Sequence, residues 1–369
     1  MKILIFNWRD PTHPWAGGAE VFLYELARRW AARGHQVTWY CSRHPSQSRS
    51  GRLGDIRVIR YGGFYGVYLE APFRYLTGLA GRFDIIVDSA NGIPFFTPLY
   101  SRAPKVALVH HIHNEVFFRE LPRPLAHLAN RIEKSAMPAV YRRTAFVTVS
   151  DSSRRALAGL GITDGRVRLV HNGVDTEQYR PGRKSPRPML LFLGRLRHYK
   201  SVDVAIRAMP HLLAAVPNVS LHIAGSGPAD GSLRSLAGQL GLADRVVFHG
   251  FVDDVEKRRL LQAAHVVVNP SMKEGWGLTV LEANACGTPV VGARVPGLCD
   301  SICHEETGLL VPYGDPEALA AAAGRLLQDE ALSCQMGQSA LAWARHFSWS
   351  NSADQFLQFM IQLVGENKP

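Results

Sequence analysis

One unit in the second half of the chain constrains the fold more than any other feature of the sequence. Three consecutive valines, 266–268, predict a buried strand, and a glycine-rich turn, 274–277, follows it. A helical pattern over 278–285 then leads to a second apolar strand at 289–291. A turn of this kind lies beside the free N–H groups of the first helical turn and the positive end of the helix dipole. The unit therefore predicts an anion-binding site within an α/β fold.

Two glutamates accompany this turn. Glu274 lies within it, and Glu282 lies eight residues later on the predicted helix. A carboxylate is repelled by a bound phosphate, so phosphate binding alone does not require such residues. The pair indicates that the site also holds a second kind of group, such as the hydroxyl groups of a sugar.

Short apolar runs alternate with helical patterns along both halves of the chain. This alternation is typical of parallel α/β layers. Residues 179–188 interrupt it with three prolines, one glycine and no periodicity, which predicts a linker. A chain of 369 residues is long enough for about two domains. We therefore predict domains at 1–180 and 181–346 that enclose a cleft, and a final amphipathic helix at about 347–369.

Candidate ligand-binding residues occur at the predicted carboxyl ends of successive strands in the second half. Doubly wound sheets bind their ligands at these strand ends. An arginine fork and a lysine point charge together suit a diphosphate. The residues at these strand ends are, in chain order, Arg195 with Lys200, Gly225, Gly250 with Phe251, and Glu274. Their convergence predicts one shared site.

The first half has two weaker signals at strand ends. Gly17 and Gly18 lie where the first strand meets the first helix, which predicts either a ligand contact or only a tight turn. A later strand ends in a histidine-rich segment. Strand alternation places His111 and His113 on one face and His110 on the other, and a metal site would need a fourth converging ligand. The sequence leaves open which histidine is functional.

The charge balance of 42 basic against 31 acidic residues gives a net charge of +11. It favours a polyanionic partner, namely nucleic acid, an anionic lipid surface or a phosphorylated substrate, or else it reflects a generally basic surface. No recognised nucleic-acid module is present, so we expect no nucleic-acid partner. The basic, partly apolar stretch 116–145 predicts one long helix, which is either an ordinary surface helix or a peripheral membrane contact.

We expect a cytoplasmic protein. No run of 18 apolar residues occurs, which predicts no transmembrane helix, and the apolar start of the chain is too short for a signal peptide. Five cysteines without paired spacing favour a reducing compartment and argue against a zinc site. If the stretch 116–145 binds lipid, the protein would lie at the inner membrane face.

These motifs resemble those of the family 4 glycosyltransferases, which have the GT-B fold. The likeness covers nearly the whole chain and is most specific at the two glutamates and their flanking residues. One departure is Ser201 after Lys200, where glycine is common in that family. The matching segments are 17–20, the histidine after a strand, 172–175, 194–195 with Lys200, 223–228, 249–251, 270–271, Glu274 with Glu282, 281–283, 286–291 and 307–311.

The resemblance implies two Rossmann-like, doubly wound parallel-sheet domains with an interdomain cleft. The first domain would serve the acceptor and the second the nucleotide sugar, and the final helix would pack back on the first domain. The implied activity is retaining transfer of a hexosyl unit from a UDP- or GDP-sugar to a glycan, a lipid-linked acceptor or a small molecule. Neither a cofactor nor a metal is implied, because fixed cations and helix dipoles stabilise the leaving diphosphate.

The resemblance also implies the roles of individual residues. Glu282 would hold the ribose of the donor, and Glu274 would contact the sugar being transferred. His110 best matches the family histidine that closes on that sugar, with His111 as the neighbouring candidate. The remaining implied contacts are Arg195 and Lys200 with the diphosphate, the N–H groups of Gly277, Leu278 and Thr279 with the same group, Gly225 and Phe251 at the neighbouring strand ends, and Gly17 and Gly18 with the distal phosphate and the acceptor side.

Two other functions remain compatible with parts of the sequence. One is a UDP-sugar 2-epimerase of the same fold, and the other is a basic protein that binds lipid or nucleic acid. The glutamate pair and its flanking residues favour the transferase. The predicted loops 8–18, 44–54 and 62–80 carry no motif that identifies the acceptor, and the nucleotide, sugar, linkage and oligomeric state are equally open.

Overall fold

Two β-sheets, each formed by a separate part of the chain, organise the computed structural model, which describes residues 1–366 without the side chain of Asp164. Residues 1–173 and the segment from residue 349 onward form the first compact unit, and residues 174–348 form the second. The sequence placed this boundary after residue 180 and the start of the last helix at 347. Residues 367–369 of that predicted helix lie outside the described residues.

The first sheet has eight strands. They are β1 (Lys2–Phe6), β2 (Gln36–Ser42), β3 (Ser50–Leu53), β4 (Ile56–Tyr61), β5 (Ile85–Ser89), β6 (Lys105–Val109), β7 (Ala145–Thr148) and β8 (Val167–Leu169). Their order is β3-β4-β2-β1-β5-β6-β7-β8, and every neighbouring pair except β3 with β4 is parallel. Residues 3–6 of β1 are fully buried, as expected of a parallel strand that is covered on both faces.

Helices of the first unit pack beside this sheet. They are α1 (Gly18–Ala32), α2 (Gly63–Arg74), α3 (Glu115–Glu120), α4 (Arg123–Arg131), α5 (Met137–Val140), α6 (Asp151–Ala158) and the last helix of the chain (Trp349–Glu366). On α1, Phe22, Leu26 and Trp30 recur every four residues and are fully buried. The last helix packs on α1, where the Trp30 indole donates to the carbonyl oxygen of Ala353 over 2.9 Å.

The segment 62–80 is helical, although the sequence predicted a loop. It forms α2 and a following π-helical turn, Tyr75–Leu79. Pro72 hides the helical pattern, but Val67, Ala71 and Tyr75 recur every four residues and are buried. The predicted loop at 44–54 likewise contains β3.

The stretch 116–145 is not the single helix that the sequence predicted. Leu121 precedes Pro122 and is extended, because a residue before proline is disfavoured in the helical region, and this separates α3 from α4. After α4 the chain continues through a π-helical turn, Ile132–Ala136, beside Pro138 of α5.

The second sheet has six strands, and each of their pairings is parallel. The strands are β9 (Met189–Leu193), β10 (Ser220–Ala224), β11 (Val246–Gly250), β12 (Val266–Asn269), β13 (Val290–Ala293) and β14 (Gly308–Val311), in the order β11-β10-β9-β12-β13-β14. Between them run α7 (Val202–Ala215), α8 (Asp230–Gln239), α9 (Asp254–Ala263), α10 (Leu278–Ala285) and α11 (Leu298–Ser301), followed by α12 (Pro316–Gln328) and α13 (Glu330–Ala344).

The chain runs outward from β9 through β10 to β11 and then returns to the other side of β9 with β12. The carboxyl ends of β9 and β12 therefore flank a topological switch point, where sheets of this type bind ligands. The predicted helix at 278–285 coincides with α10. Two doubly wound α/β units confirm the predicted fold class. Within residues 1–366, no helix is both long enough and apolar enough to cross a membrane.

Candidate active site

Two loops meet at the switch point of the second sheet, one after β9 and one after β12. Lys200 Nζ in the first loop lies 2.6 Å from Glu274 Oε1 in the second, and both side chains are largely buried. The main chain also joins the loops, because the N–H of Met272 donates to the carbonyl oxygen of Tyr199 over 2.8 Å. The fold thus brings together two residues that the sequence placed on separate strand ends.

Glu274 holds Lys200 in the charged state. Burial alone lowers the pKa of the Lys200 ammonium, but the Glu274 carboxylate and Tyr199 outweigh it, and the pKa is raised. Glu274 Oε1 also accepts from the hydroxyl of Ser271 over 2.9 Å and lies 3.4 Å from Asn269 Nδ2. These contacts fix the direction of the carboxylate. Asn269 was not singled out from the sequence, and Ser271 was noted only as part of the matching segment 270–271, without a role of its own.

The turn after Lys200 requires an unusual backbone conformation. Ser201 caps the start of α7 with φ +51° and ψ +39°, a left-handed conformation that residues other than glycine rarely adopt. This explains why glycine is common at this position in the family that the sequence resembles. The Ser201 hydroxyl lies 3.1 Å from the hydroxyl of Tyr313, so serine makes one contact that glycine would not.

Backbone packing within the second unit requires glycine at position 225. A Cβ atom there would lie 1.8 Å from the carbonyl oxygen of Gly194, and the Gly225 N–H donates to the carbonyl of Gly250 over 2.7 Å. Three neighbouring strand ends are therefore in backbone contact, and Gly225 shapes the site whether or not it touches a ligand. Phe251, which follows Gly250, is 81% exposed. In the loop after β9, Arg195 Nη2 lies 3.3 Å from the Tyr199 hydroxyl.

The start of α10 offers main-chain donors at the same edge. Gly277 precedes the helix with φ +91°, and a Cβ there would lie 3.1 Å from Leu298 Cδ2. The first N–H groups of an α-helix have no partner within the helix. In the described part of the chain, the N–H groups of Leu278 and Thr279 have no acceptor. They are therefore available to an anion in the turn.

Glu282 is buried on α10 and already has a cationic partner. Lys257 Nζ on α9 lies 2.8 Å from Glu282 Oε1 and 5.2 Å from the ring centroid of Tyr179. Burial works against the charge of Lys257, but Glu282 and Tyr179 raise its pKa above the ordinary value. Lys257 was not identified from the sequence, because it lies in a charged run, 256–259, in which nothing distinguishes it.

His110, which follows β6, is a buried histidine of the first unit, as is His13. Its Nδ1 lies 3.1 Å from Asn91 Oδ1, and its ring meets Phe22 in the first turns of α1 at 5.1 Å between centroids. Its Nε2 is buried and has no hydrogen-bond partner among the described residues. Burial, with a smaller contribution from His113, lowers the pKa of His110 to about 3, so the ring is neutral at physiological pH.

All three histidines follow the end of β6, so strand alternation does not apply to them, and the other two lie side by side. The rings of His111 and His113 lie 4.3 Å apart. The N–H of His113 donates to Glu133 over 2.8 Å, and its Nδ1 lies 3.3 Å from the same oxygen. Among the described residues, no group of three or more His, Cys, Asp and Glu side chains is arranged to hold a metal ion.

The turn between β1 and α1 contains Gly17 and Gly18. The N–H of Gly17 donates to Glu20 over 2.7 Å, which stabilises the start of α1. A Cβ added at Gly18 would meet no atom within 4 Å, and its φ is not in the left-handed region. Packing and backbone conformation within the unit therefore do not require glycine at position 18. Because Phe22 of α1 touches His110, this turn and the histidine lie at one edge of the sheet.

Comparison with known proteins gives matches along nearly the whole chain. The family model described as Glycosyltransferase Family 4 matches residues 16–178, and the model described as Glycosyl transferases group 1 matches residues 174–343. A D-inositol 3-phosphate glycosyltransferase of Acidothermus cellulolyticus is 37% identical, with 96% of this chain and 87% of that protein covered. An uncharacterized glycosyltransferase of Methanocaldococcus jannaschii is 33% identical, with 89% and 90% covered.

Solved structures share the fold. A sucrose-phosphate synthase from Thermosynechococcus elongatus superposes with a TM-score of 0.84 at 23% identity, covering 99% of this chain and 100% of that chain. Anabaena HepE in complex with UDP-glucose gives a TM-score of 0.78 at 20% identity, covering 98% and 100%. These likenesses confirm the predicted GT-B fold.

Proposed function

We propose, given that the chain belongs to the family 4, group 1 glycosyltransferases, that it moves a hexosyl unit from a UDP- or GDP-sugar to an acceptor hydroxyl with retention of configuration. The observation that carries this proposal is the convergence of the Lys200–Glu274 pair with the open N–H groups of α10 at one switch point. Fixed positive charge there suits a diphosphate, and the carboxylate suits sugar hydroxyls.

The diphosphate of the donor would be bound by Arg195, Lys200 and the N–H groups of Leu278 and Thr279. Charge accumulates on the diphosphate as the glycosidic bond breaks, and preorganised donors stabilise such charge more than they stabilise the ground state. The raised pKa of Lys200 keeps its charge in place at neutral pH. A metal ion would then not be needed to neutralise the leaving group.

The nucleoside would lie toward Glu282 and Phe251. The buried Glu282 carboxylate can accept hydrogen bonds from two ribose hydroxyls while Lys257 holds its other side through their ion pair. The exposed ring of Phe251 offers a stacking face for the base. Lys257 would then act through Glu282, as the group that positions the ribose carboxylate.

His110 would contact the sugar being transferred. Its Nδ1 faces the amide oxygen of Asn91, so Nδ1 carries the proton and Nε2 presents a lone pair. A neutral, unpartnered Nε2 suits acceptance of a hydrogen bond from a sugar hydroxyl. The open space at Gly18 supports close approach of a ligand group at the same edge, with Gly17 beside it.

We assign no protein nucleophile. Retaining hydrolases use a carboxylate that is free to attack the anomeric carbon. Glu274 is ion-paired to Lys200 and accepts a hydrogen bond from Ser271, which lowers its nucleophilicity. A role in orienting the donor sugar fits these contacts better. A cytoplasmic location remains part of the proposal, supported by the five unpaired cysteines.

The first experiment identifies the donor. UDP- and GDP-hexoses are screened by thermal unfolding, where a ligand at 100 times its Kd should add about 2.7 kcal/mol of stability. Glu282→Ala should lose most of this increase if it holds the ribose. No stabilisation by any nucleotide sugar would contradict the proposal.

The second experiment identifies the reaction. D-Inositol 3-phosphate is the first acceptor to test, because curated relatives of 37% and 34% identity are named for it. Nucleoside diphosphate should be released only when donor and acceptor are both present, and NMR should show that the product keeps the donor's anomeric configuration. Interconversion of the donor without acceptor would indicate an epimerase, and an inverted product would rule out retention.

A further inference from the structure

Helix α2 is apolar on two opposite faces. One face, formed by Val67, Ala71 and the following Tyr75, is buried in the core of the first unit. The other face is open to solvent and is formed by side chains spaced four, four and three residues apart, which share one side of a helix. Its exposed fractions are 57% for Tyr65, 82% for Leu69, 61% for Phe73 and 60% for Leu76. A helix that is apolar all round is typical of a fully enclosed environment.

Charge is absent from this outer face. The only ionisable acid and base in the segment 63–79 are Glu70 and Arg74. They lie four residues apart and face each other, with 3.5 Å between Arg74 Nε and Glu70 Oε2. The four exposed apolar side chains therefore form an apolar strip flanked by an ion pair, which we call the α2 strip.

The unit that carries the α2 strip also carries the whole net charge of the chain. Residues 1–173 and 349–369 contain 25 basic and 14 acidic residues, whereas residues 174–348 contain 17 of each. Of the sixteen large apolar side chains exposed in the described part of the chain, ten lie in residues 1–173. One unit thus combines excess positive charge with exposed apolar surface, and the other has neither to the same degree.

The helices after β6 repeat this combination on a smaller scale. Phe118, Leu125 and Leu128 are 43%, 48% and 57% exposed. Basic residues are interspersed with them along α3, α4 and the following turn, namely Arg119, Arg123, Arg131 and Lys134, and they outnumber Glu115, Glu120 and the buried Glu133 by one. Exposed apolar side chains among basic ones are typical of segments that lie in the interface of an anionic bilayer.

We propose that the α2 strip docks the protein on an anionic lipid bilayer. The strip enters the boundary between headgroups and acyl chains, and the net positive charge of the first unit attracts the anionic headgroups. A second copy of the chain is a poorer occupant, because two first units of net charge +11 repel each other. Nucleic acid would use the positive charge but would leave the apolar strip exposed.

The test is sedimentation of the full chain with vesicles of phosphatidylcholine, with and without phosphatidylglycerol. The wild type should bind the mixed vesicles, bind pure phosphatidylcholine less, and bind more weakly at high salt. Leu69→Asp should lower the partition coefficient by about tenfold or more, since it removes one apolar side chain from the lipid and adds a repelled charge. Phe73→Ser, which adds no charge, should lower it in the same direction.

Val255→Asp is the matched control, because Val255 is 68% exposed on α9 of the second unit. It introduces the same charge and should leave vesicle binding unchanged. All of these positions are exposed, so the melting temperature of each variant should stay near that of the wild type. If Leu69→Asp nevertheless unfolds, Phe73→Ser still tests the strip. None of these readouts uses donor or acceptor, so they stand apart from the proposed function.

Three outcomes would overturn the proposal. In the first, the wild type does not bind anionic vesicles, or Leu69→Asp and Phe73→Ser bind them like the wild type. In the second, sedimentation velocity shows a dimer that Phe73→Ser dissociates, which makes the strip an interface between copies. In the third, duplex DNA competes fully for the protein and binds Leu69→Asp as well as the wild type.

Discussion

The two units build the same kind of sheet but differ in net charge. In the second unit the charges at the strand ends are paired and buried, with Lys200 on Glu274 and Lys257 on Glu282, and the unit is formally neutral. The first unit also has buried ion pairs, Arg60 with Asp10 and Arg9 with Glu20, but it adds the neutral imidazole of His110 and carries the whole net charge of +11. The second unit is therefore suited to a small charged ligand, and the first to neutral hydroxyl groups and an extended anionic surface.

The pairing in the second unit has a physical purpose. A carboxylate beside a diphosphate would repel it, but a carboxylate that already has an ammonium partner presents a fixed dipole. The site can then hold phosphate and hydroxyl groups a few ångströms apart. Breaking one pair at a time should reveal how much each contributes.

Removing Lys200 should have the largest effect. Lys200→Ala takes away both the proposed diphosphate contact and the partner of Glu274, and we expect kcat/KM to fall by about 100- to 1000-fold. Arg207→Ala, on the exposed side of α7, is the control and should change it by less than about twofold. A loss of only a few fold in Lys200→Ala would show that the donor does not depend on this pair.

The same pair predicts a pH dependence. Because the pKa of Lys200 is raised in the folded state, its stabilising contribution is complete below the ordinary lysine pKa of 10.5 and is lost only as the pH rises beyond it. Urea unfolding between pH 8 and pH 11 should therefore separate the wild type from Lys200→Ala mainly below pH 10.5.

Removing Lys257 should weaken folding as well as donor binding. Lys257→Met leaves the buried Glu282 carboxylate without its partner, and we expect the free energy of unfolding to fall by about 3 kcal/mol. The control is Lys257→Met with Glu282→Gln, which removes the unpaired charge and should recover part of the loss. Equal stability of the single and double variants in urea unfolding would mean that water reaches Glu282 freely.

The lowered pKa of His110 predicts that acid destabilises the folded protein. His110 has its pKa lowered to about 3, so the unfolded chain takes up a proton near the ordinary value of 6.5 before the folded protein does. Stability is therefore complete above pH 6.5 and is lost as the pH falls. From pH 6.5 to pH 5 this one group should remove about 1–2 kcal/mol.

His110→Gln should reduce that acid-dependent loss, as measured by urea unfolding at the two pH values. His13 in the first unit and His222 in the second, each with a pKa lowered to about 4, should account for the part that remains. If His110→Gln shows the same pH slope as the wild type, the imidazole is hydrated in solution and its Nε2 is not the buried acceptor proposed here.

Local patterns in the sequence predicted the second unit better than the first. The valine strand, the glycine turn and the helix of α10 follow from short-range periodicity and appear where expected. In the first unit, Pro72 hid α2, and the break before Pro122 divided a stretch predicted to be one helix. Proline changes helical periodicity in two ways, by π-helical adjustment and by extension of the preceding residue, and a pattern alone does not distinguish them.

The ion pairs of the site could not be predicted from the sequence, for a different reason. Lys200 and Glu274 are 74 residues apart, and Lys257 and Glu282 are 25 apart, so only the strand order brings them together. The sequence placed Glu274 and Lys200 at the correct edge of the sheet but did not pair them. Lys257 and Asn91 act through a partner side chain and have no motif of their own, since their importance arises from position in space.

The smallest predicted effect isolates the backbone at the start of α7. Ser201→Gly relieves a left-handed conformation that costs a serine about 1–2 kcal/mol, but it also removes the hydrogen bond with Tyr313. Tyr313→Phe removes the same hydrogen bond and leaves the backbone unchanged. We therefore expect Ser201→Gly to be about 0.5–1 kcal/mol more stable than Tyr313→Phe in urea unfolding, after the greater chain entropy of glycine is included. If Tyr313→Phe is the more stable of the two, then serine suits this turn as well as glycine does.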